Sequence, residues 1–434
     1  MPRSPSHLKR FRHKLADIDA LPQLALLGLF SGSVTALIIV LFRELIFRLS
    51  TLFTGSANDS VFLSLPWQLR LLLPLAGMIL VIAISALSHR KHHRIGIVHV
   101  IERLTWHQGR FYPGSFLHQF FAGALVLATG HSIGREGPAV HLGAASASML
   151  GRYLHLPNDN LRVLVACGSA AAISATFNTP VAGVIFAMEV LLIEYTVTRF
   201  LPVLLASACA ATLTQFIYGS DQAFIVPPLT INPVDELPLV IIIGITMGLL
   251  GTLFCRAIIV SNRRVIHLPP AARLMLAALI TGLLAIPAPA IMGSGYNTIT
   301  TMMVDFHPTL FLLILLGCKF IASVTSIGLG VPGGLIGPTM FIGAAGGALV
   351  TSLVDTIPWL ESGSAGFHVM VGMSAMLGAV MQSPLTALVT VVEMTRNPEL
   401  LFPALVAIVI ATLIARLLMK QKGIFEQILD TWRS

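Results

Sequence analysis

Apolar residues fill almost every stretch of this chain, and polar residues interrupt them only briefly. Apolar runs fall at roughly 21–49, 66–87, 115–130, 161–176, 181–193, 200–217, 238–261, 270–291, 308–327, 338–353, 368–381, 385–393 and 400–419. A helix that spans a bilayer needs about 20 such residues. Several of these runs are shorter, and Gly or Pro breaks others. Broken helices at membrane depth are tolerated only where protein buries them or where they line a cavity. The pattern therefore predicts an all-α polytopic membrane protein of many short, tilted and broken helices, suited to a transporter or channel. The first run is too long for a signal-peptide core and is followed by polar "FREL" and more apolar chain, so it reads as a retained first helix.

Composition agrees. Of 434 residues, 55% are hydrophobic and 11% charged, against about 25% charged in soluble domains. Mean hydropathy is +0.85. No large soluble domain fits. The net charge of +8 is gathered in clusters: Arg3, Lys9, Arg10, Arg12 and Lys14, then "HRKHHR" at 89–94, then Arg416, Lys420 and Lys422. Such clusters mark cytoplasmic loops, so this charge is no signal of nucleic acid. The stretch 219–237 carries Asp221, Asp235 and Glu236 without a base and is expected outside. Cys167, Cys209, Cys255 and Cys318 stand singly in apolar runs and read as small core residues; their spacing suits no metal. No HExxH is present, and no Ser/His pair is set for activation. An enzyme, a metal centre and a cofactor are therefore not expected.

The chain also repeats itself. "GREGPAVHLG" at 134–143 aligns with "GLIGPTMFIG" at 334–343, an offset of 200. "GSAAAISATFNTPVAGVIFAME" at 168–189 aligns with "GMSAMLGAVMQSPLTALVTVVE" at 372–393, an offset of 204. One insertion of four residues reconciles the two. Weak internal symmetry of this kind is a property of transporter folds. It divides the chain into a basic cytoplasmic segment 1–20, a first membrane repeat 21–218, an outward loop 219–237, a second membrane repeat 238–419 and a cytoplasmic tail 420–434.

Gly-x-x-Gly-Pro ahead of small and apolar residues is a helix start. Proline fits the first turn, where its missing N–H costs nothing. Glycine lets a ligand approach the backbone. The free N–H groups and the macrodipole supply about half a positive charge, an anion site that needs no lysine. If the repeats are inverted, the two starts enter from opposite faces and meet near the midplane. If they are parallel, they make no shared site. Inversion gives both motifs a role.

These residues resemble the CLC family of chloride channels and chloride/proton antiporters. "GREGP" at 134–138 matches that family's gating motif in full, and "VPGGLIGP" at 331–338 looks like its second selectivity motif. "NTPVAGVIFAMEV" at 178–190 and "VVEMT" at 391–395 are similar as well. The resemblance implies two inverted-topology repeats, a homodimer with one pore per subunit, and a multi-pass protein of the cell membrane with both termini cytoplasmic. It implies chloride and similar anions as the transported ligand. Because the chain ends at Ser434, soon after the last helix, the type without C-terminal regulatory domains is expected. Glu136 becomes the gate, a tethered anion that competes for the chloride site until it is protonated or displaced. Gly134, Arg135, Gly137 and Pro138 form one side of the anion site. Gly334, Leu335, Ile336, Gly337 and Pro338 form the other, with the Leu335 and Ile336 amides facing chloride.

Three departures from the family's pattern matter. The family's glycine-serine-glycine loop is not recognisable; its nearest counterpart, "RIGIV" at 94–98, puts Ile95 where a serine contacts chloride. The chloride-contacting tyrosine corresponds to Phe425, which has the ring but no donor. Weaker central anion binding follows. The inner proton-relaying acid, directly after the position of Glu189, is Val190. In the family that substitution accompanies passive channels. The main expectation is a gated chloride channel, and the alternative is a chloride/proton antiporter with an unusual proton path. Arg135 either raises the potential at the entrance or pairs structurally. Lys319 either draws anions inward or meets a buried acid or carbonyl. Glu189 and Glu393 hold matching repeat positions, which favours a structural role. His131 and His141 titrate near neutrality and read chiefly as ordinary polar contacts or residues near the aqueous mouth.

Overall fold

The computed structural model describes residues 21–56, 60–89, 92–191, 196–219, 224, 226, 236–305, 307–356 and 364–433. The segment 1–20, most of the 219–237 loop, and Arg90 and Lys91 of the second basic cluster lie outside the described residues.

The described residues form 18 α-helices. In chain order they are α1 (Leu21–Thr54), α2 (Val61–Ser64), α3 (Trp67–Leu87), α4 (Gly96–Trp106), α5 (Pro113–Ala128) and α6 (Glu136–Tyr153). Next come α7 (Asn158–Phe177), α8 (Pro180–Phe186), α9 (Val197–Tyr218), α10 (Leu237–Val265), α11 (Pro270–Ala285) and α12 (Tyr296–Val304). The last six are α13 (Thr309–Gly328), α14 (Ile336–Val354), α15 (Ala365–Met381), α16 (Pro384–Thr395), α17 (Leu401–Leu413) and α18 (Ile424–Arg433). Eight segments are long and apolar enough to cross a bilayer. Among these, α7 and α14 bury 83% of their apolar window inside the protein, whereas the α3 window buries 28%. The first two are core helices; α3 turns Leu72, Ile79 and Leu80 outward, as a lipid-facing helix does.

The chain condenses into two compact units. The first comprises the described parts of Met1–Arg43, Ser88–Phe120 and Pro138–Asp221; the second comprises those of Glu44–Leu87, Phe121–Gly137 and Gln222–Ser434. In the first, α7 packs on α8 and α9. The Ser174 hydroxyl donates to the Ser207 carbonyl at 2.7 Å, and the Ser207 hydroxyl donates to the Pro180 carbonyl at 2.7 Å. In the second, α15 lies between α14, α10 and α17. The four cysteines are free; Cys167 and Cys255 are buried, Cys209 and Cys318 half-buried.

The repeat is legible inside each unit. A Cβ on Gly143 would strike the Gly168 carbonyl, and one on Gly168 would strike Gly143, so α6 and α7 cross backbone to backbone. Gly343 and Gly372 repeat that contact between α14 and α15. Close crossing of small residues is how helices pack without a hydrophobic driving force between them. Further on, Asn178 and Gln382 end α7 and α15 in the left-handed conformation, with φ of 61° and 56°. Pro180 and Pro384 then open α8 and α16, where a proline costs no hydrogen bond.

Candidate anion gate

The two glycine-proline motifs meet through their backbones. The Gly134 N–H donates to the Gly334 carbonyl at 2.7 Å, and the Gly334 N–H donates to the Gly134 carbonyl at 2.7 Å. This is an antiparallel bridge. The approach to it is duplicated residue for residue at the offset of 200. Gly130 and Gly330 take left-handed φ of 80° and 88°. His131 and Val331 then donate back to Val126 and Ser326, and Ile133 and Gly333 to His131 and Val331. Two residues past the bridge α6 starts at Glu136 and α14 at Ile336. Antiparallel chain direction at the bridge is what inverted repeats require.

Glu136 is fully buried. One carboxylate oxygen, Oε1, accepts the Tyr296 hydroxyl. The other, Oε2, has no hydrogen-bond partner among the described residues. The backbone N–H groups of Glu136 and Gly337 and the charge of Arg135 add positive potential around the carboxylate. The glycines make room for it. A Cβ on Gly134 would collide with Oε2, one on Gly334 would stand 2.8 Å from Oε2, and one on Gly337 would stand 3.0 Å from Oε1. The carboxylate thus lies in a cradle built from both motifs, where two helix starts present their N–H groups.

Tyr296, absent from the sequence reading, is the first residue of α12, after Gly295 in left-handed conformation. Phe224, from the 219–237 stretch, packs edge-on against its ring with centroids 5.6 Å apart. The Arg135 guanidinium lies 5.2 Å from the same ring's centroid. Arg135 is thereby placed by a cation–π contact and adds its charge beside Glu136. A sequence signal for Tyr296 existed. "GSGYN" at 293–297 is a glycine-rich helix start, and it carries a Gly-Ser-Gly triplet that stands in the second repeat. There it opens α12, as "RIGIV" opens α4, and Gly96 and Gly295 share a φ of 78°.

Lys319 is buried on α13 and donates to the carbonyls of Ile291 at 2.9 Å and Gly293 at 3.0 Å. Its ammonium stands 4.8 Å above the Phe341 ring and acts electrostatically on Glu136. It therefore meets carbonyls and contributes positive potential to the cradle.

The remaining candidates sit at element ends. Leu335 and Ile336 are buried at the start of α14, ahead of its first ladder bond, from the Thr339 N–H to the Leu335 carbonyl at 3.0 Å. Pro138 and Pro338 are third residues of α6 and α14. Phe425, buried on α18, belongs to a helix packed on α10 and α15. Ile95 caps α4 in extended conformation, and the next N–H, of Gly96, is taken by the Gln119 side chain at 3.0 Å. Glu189 and Val190 lie half-buried in a wide π turn, Ala187–Leu191, that follows α8. His131 is buried, its ring nitrogen 3.4 Å from the Thr129 hydroxyl, which places it in the interior rather than at a mouth.

Inverted helix starts that share one bridge, with an acid lodged between them, define a class: a multi-pass membrane protein built from duplicated, broken helices that meet through their backbones. The chain belongs to the voltage gated chloride channel family, whose model matches residues 76–416. It is 31% identical over 399 residues to a putative chloride channel protein ClcB-like of Ralstonia nicotianae, covering 88% of this chain and 91% of that one. It is 29% identical over 418 residues to the voltage-gated ClC-type chloride channel ClcB of Salmonella dublin, covering 93% and 98%. A slow cyanobacterial Cl-/H+ antiporter shares the fold with a TM-score of 0.81 at 22% identity, covering 95% of this chain and 98% of that one. A CLC-type fluoride/proton antiporter does so with a TM-score of 0.77 at 23% identity, covering 92% and 97%. The protein is a multi-pass membrane anion transporter of two inverted repeats.

Proposed function

We propose that this protein exchanges chloride for protons, with Glu136 as gate and proton carrier. The observation that supports this reading is a fully buried carboxylate, one oxygen held by Tyr296 and the other without a partner among the described residues, between two helix starts. Ionised, it is the anion at the site. Protonated, it loses its claim on the N–H groups and chloride replaces it. A site that holds either its own carboxylate or a chloride ties protonation to anion occupancy, which is the condition for coupling. The solved fold neighbours titled as proton antiporters favour the same reading.

In this reading chloride rests on the backbone amides of Leu335 and Ile336, with Gly134, Gly137, Gly334 and Gly337 keeping the cradle open. Ile95 and Phe425 supply no hydroxyl, so central binding is weak. The working unit is a homodimer with one pore per subunit, in the cell membrane with both termini cytoplasmic. Chloride and similar anions are its transported ligands, and no cofactor is called for.

The second reading is a passive gated channel. Val190 favours it, since valine cannot relay a proton, and the curated relatives carry channel names. Proteoliposomes separate the two. With a chloride gradient imposed, the exchanger moves protons against their own gradient, and Glu136→Gln abolishes that movement while chloride still passes. A wild-type protein that carries chloride without protons is the channel.

A further inference from the structure

Two side chains of α13, one helical turn apart, grip the two halves of the gate. Lys319 donates to the carbonyls of Ile291 and Gly293, in the turn that leads into Tyr296. Ser323 follows one turn later, on the same face of the helix. Its hydroxyl is 3.0 Å from that of Ser132, in the segment that leads into Glu136. Lys319, Ser323 and Ser132 are all buried. The two segments also touch directly, for the Gly293 N–H donates to the Gly130 carbonyl at 3.2 Å.

These contacts close a circuit. It runs from Gly130 to Gly293, through the Gly293 carbonyl to Lys319, along one turn of α13 to Ser323, across to Ser132 and back along the chain to Gly130. Two short arms leave it, one from Ser132 to Glu136 and one from Gly293 to Tyr296. Their tips meet where the Tyr296 hydroxyl donates to Glu136 Oε1. The bridge at Gly134 ties the first arm to the α14 motif. The circuit ties it to the start of α12, and so sets the spacing between carboxylate and hydroxyl.

The duplication separates what serves the fold from what serves the gate. At the offset of 200, Lys319 matches Gln119, whose side chain accepts the Gly96 N–H at 3.0 Å at the start of α4. Holding a glycine-opened helix start from this position is therefore common to both repeats. Ser132 and Ser323 are different: their counterparts are Pro332 and Gly123. The hydroxyl tie belongs to the segment that carries the acid and has no copy in the other. Two alanines would fill the same place and leave no polar group to satisfy, so packing alone gives no reason for a buried pair of hydroxyls.

We propose that Ser132 and Ser323 are a positioning pair for the gate. They hold the Glu136 segment at the spacing from α12 at which the Tyr296 hydroxyl reaches the carboxylate. The proposal rests on the reading of Glu136 as the gate. Without the tie, hydroxyl and carboxylate separate more readily and chloride displaces Glu136 more easily.

The test is a double-mutant cycle on chloride efflux from proteoliposomes at neutral pH. It uses wild type, Ser323→Ala, Tyr296→Phe and the double variant, alongside Glu136→Gln. A pair that acts through the Tyr296–Glu136 bond raises efflux in Ser323→Ala by about fivefold, the effect of one hydrogen bond. The double variant then stays within about twofold of Tyr296→Phe, because the bond on which the pair acts is already gone. A merely structural serine changes efflux by the same factor in both backgrounds. That outcome, or no change in either background, overturns the pair and leaves the gate standing if Glu136→Gln alters efflux. If Glu136→Gln leaves efflux unchanged, the gate reading falls and the pair with it. If Ser323→Ala does not fold, Ser132→Ala takes its place in the same cycle with the same expected values.

Discussion

Tyr296 donates its hydroxyl to Glu136 from a helix start 160 residues away. The contact ties the buried carboxylate to the second repeat and leaves its other oxygen without a hydrogen-bond partner among the described residues. Tyr296→Phe keeps the ring that Arg135 and Phe224 hold and removes only the donor. A hydrogen bond to a charged group is worth about 1.5–3 kcal/mol, so the gate equilibrium shifts by about tenfold or more. Chloride efflux at neutral pH should rise. Efflux equal to wild type would show that the hydroxyl does not hold the gate.

The glycine cradle leaves no space for a methyl group. In Gly334→Ala the new Cβ stands 2.5 Å from the Gly137 nitrogen and 2.8 Å from Glu136 Oε2, so backbone must move. Overpacking of this kind costs about 1–3 kcal/mol, and a lowered melting temperature in detergent is expected together with slowed chloride flux. Gly337→Ala is milder, with contacts of 3.0 Å to Oε1 and 3.2 Å to the Tyr296 hydroxyl, both side-chain ends. It should fold and show altered gating. A Gly334→Ala protein as stable and active as wild type would contradict the cradle.

Lys319 bridges two carbonyls in a buried place. Lys319→Met keeps the bulk but strands both carbonyls, at about 1–3 kcal/mol each. It also removes a positive charge that acts on Glu136. A lower melting temperature and weaker chloride binding by calorimetry are expected together. If binding weakens with no loss of stability, the lysine serves anions alone.

Central chloride binding should be weak, because Phe425 and Ile95 offer no hydroxyl. Phe425→Tyr adds one donor, and if Phe425 borders the site it tightens binding by about tenfold, the effect of one bond to an anion. Titration calorimetry reads both values. Micromolar chloride affinity in the wild type would refute the weak-binding expectation.

At the C-terminal helix α18, hydrogen bonds donated by the Lys422 ammonium to the Glu426 and Asp430 carboxylates push it above its ordinary range. A raised folded value means that its stabilisation is complete below the ordinary lysine value of about 10.4 and fades as pH rises beyond it. The group is fully solvated and the pair is exposed, so the effect is small. Lys422→Met should leave the melting temperature at pH 7 unchanged within error, and any difference from wild type should not grow below pH 9. A marked loss at neutral pH would make α18 a structural anchor rather than a solvated tail.

The parts of this protein that depend on local chemistry were readable from residue order. Proline fits a first helical turn and glycine permits a left-handed turn or a close crossing, so the Gly-x-x-Gly-Pro starts and the offset of 200 mark α6 and α14 in the residue order itself. The same rules placed Pro180 and Pro384 at paired helix starts and Glu136 at the mouth of one motif. What joins distant segments was not readable. Nothing along the chain says that Tyr296 reaches Glu136, that Lys319 finds the carbonyls of Ile291 and Gly293, or that His118 stacks on His93. Those partners are chosen by how helices pack, and many arrangements satisfy the same apolar pattern. The compact units also cut across the repeats: 44–87 and 121–137 join the second unit although they belong to the first repeat. Sequence alone determined where helices begin and which starts are copies, because those depend on φ, ring geometry and missing N–H groups within a few residues. Only the tertiary structure decided that Gly134 and Gly334 exchange hydrogen bonds around one buried carboxylate, because that contact exists only once two segments 200 residues apart are packed together.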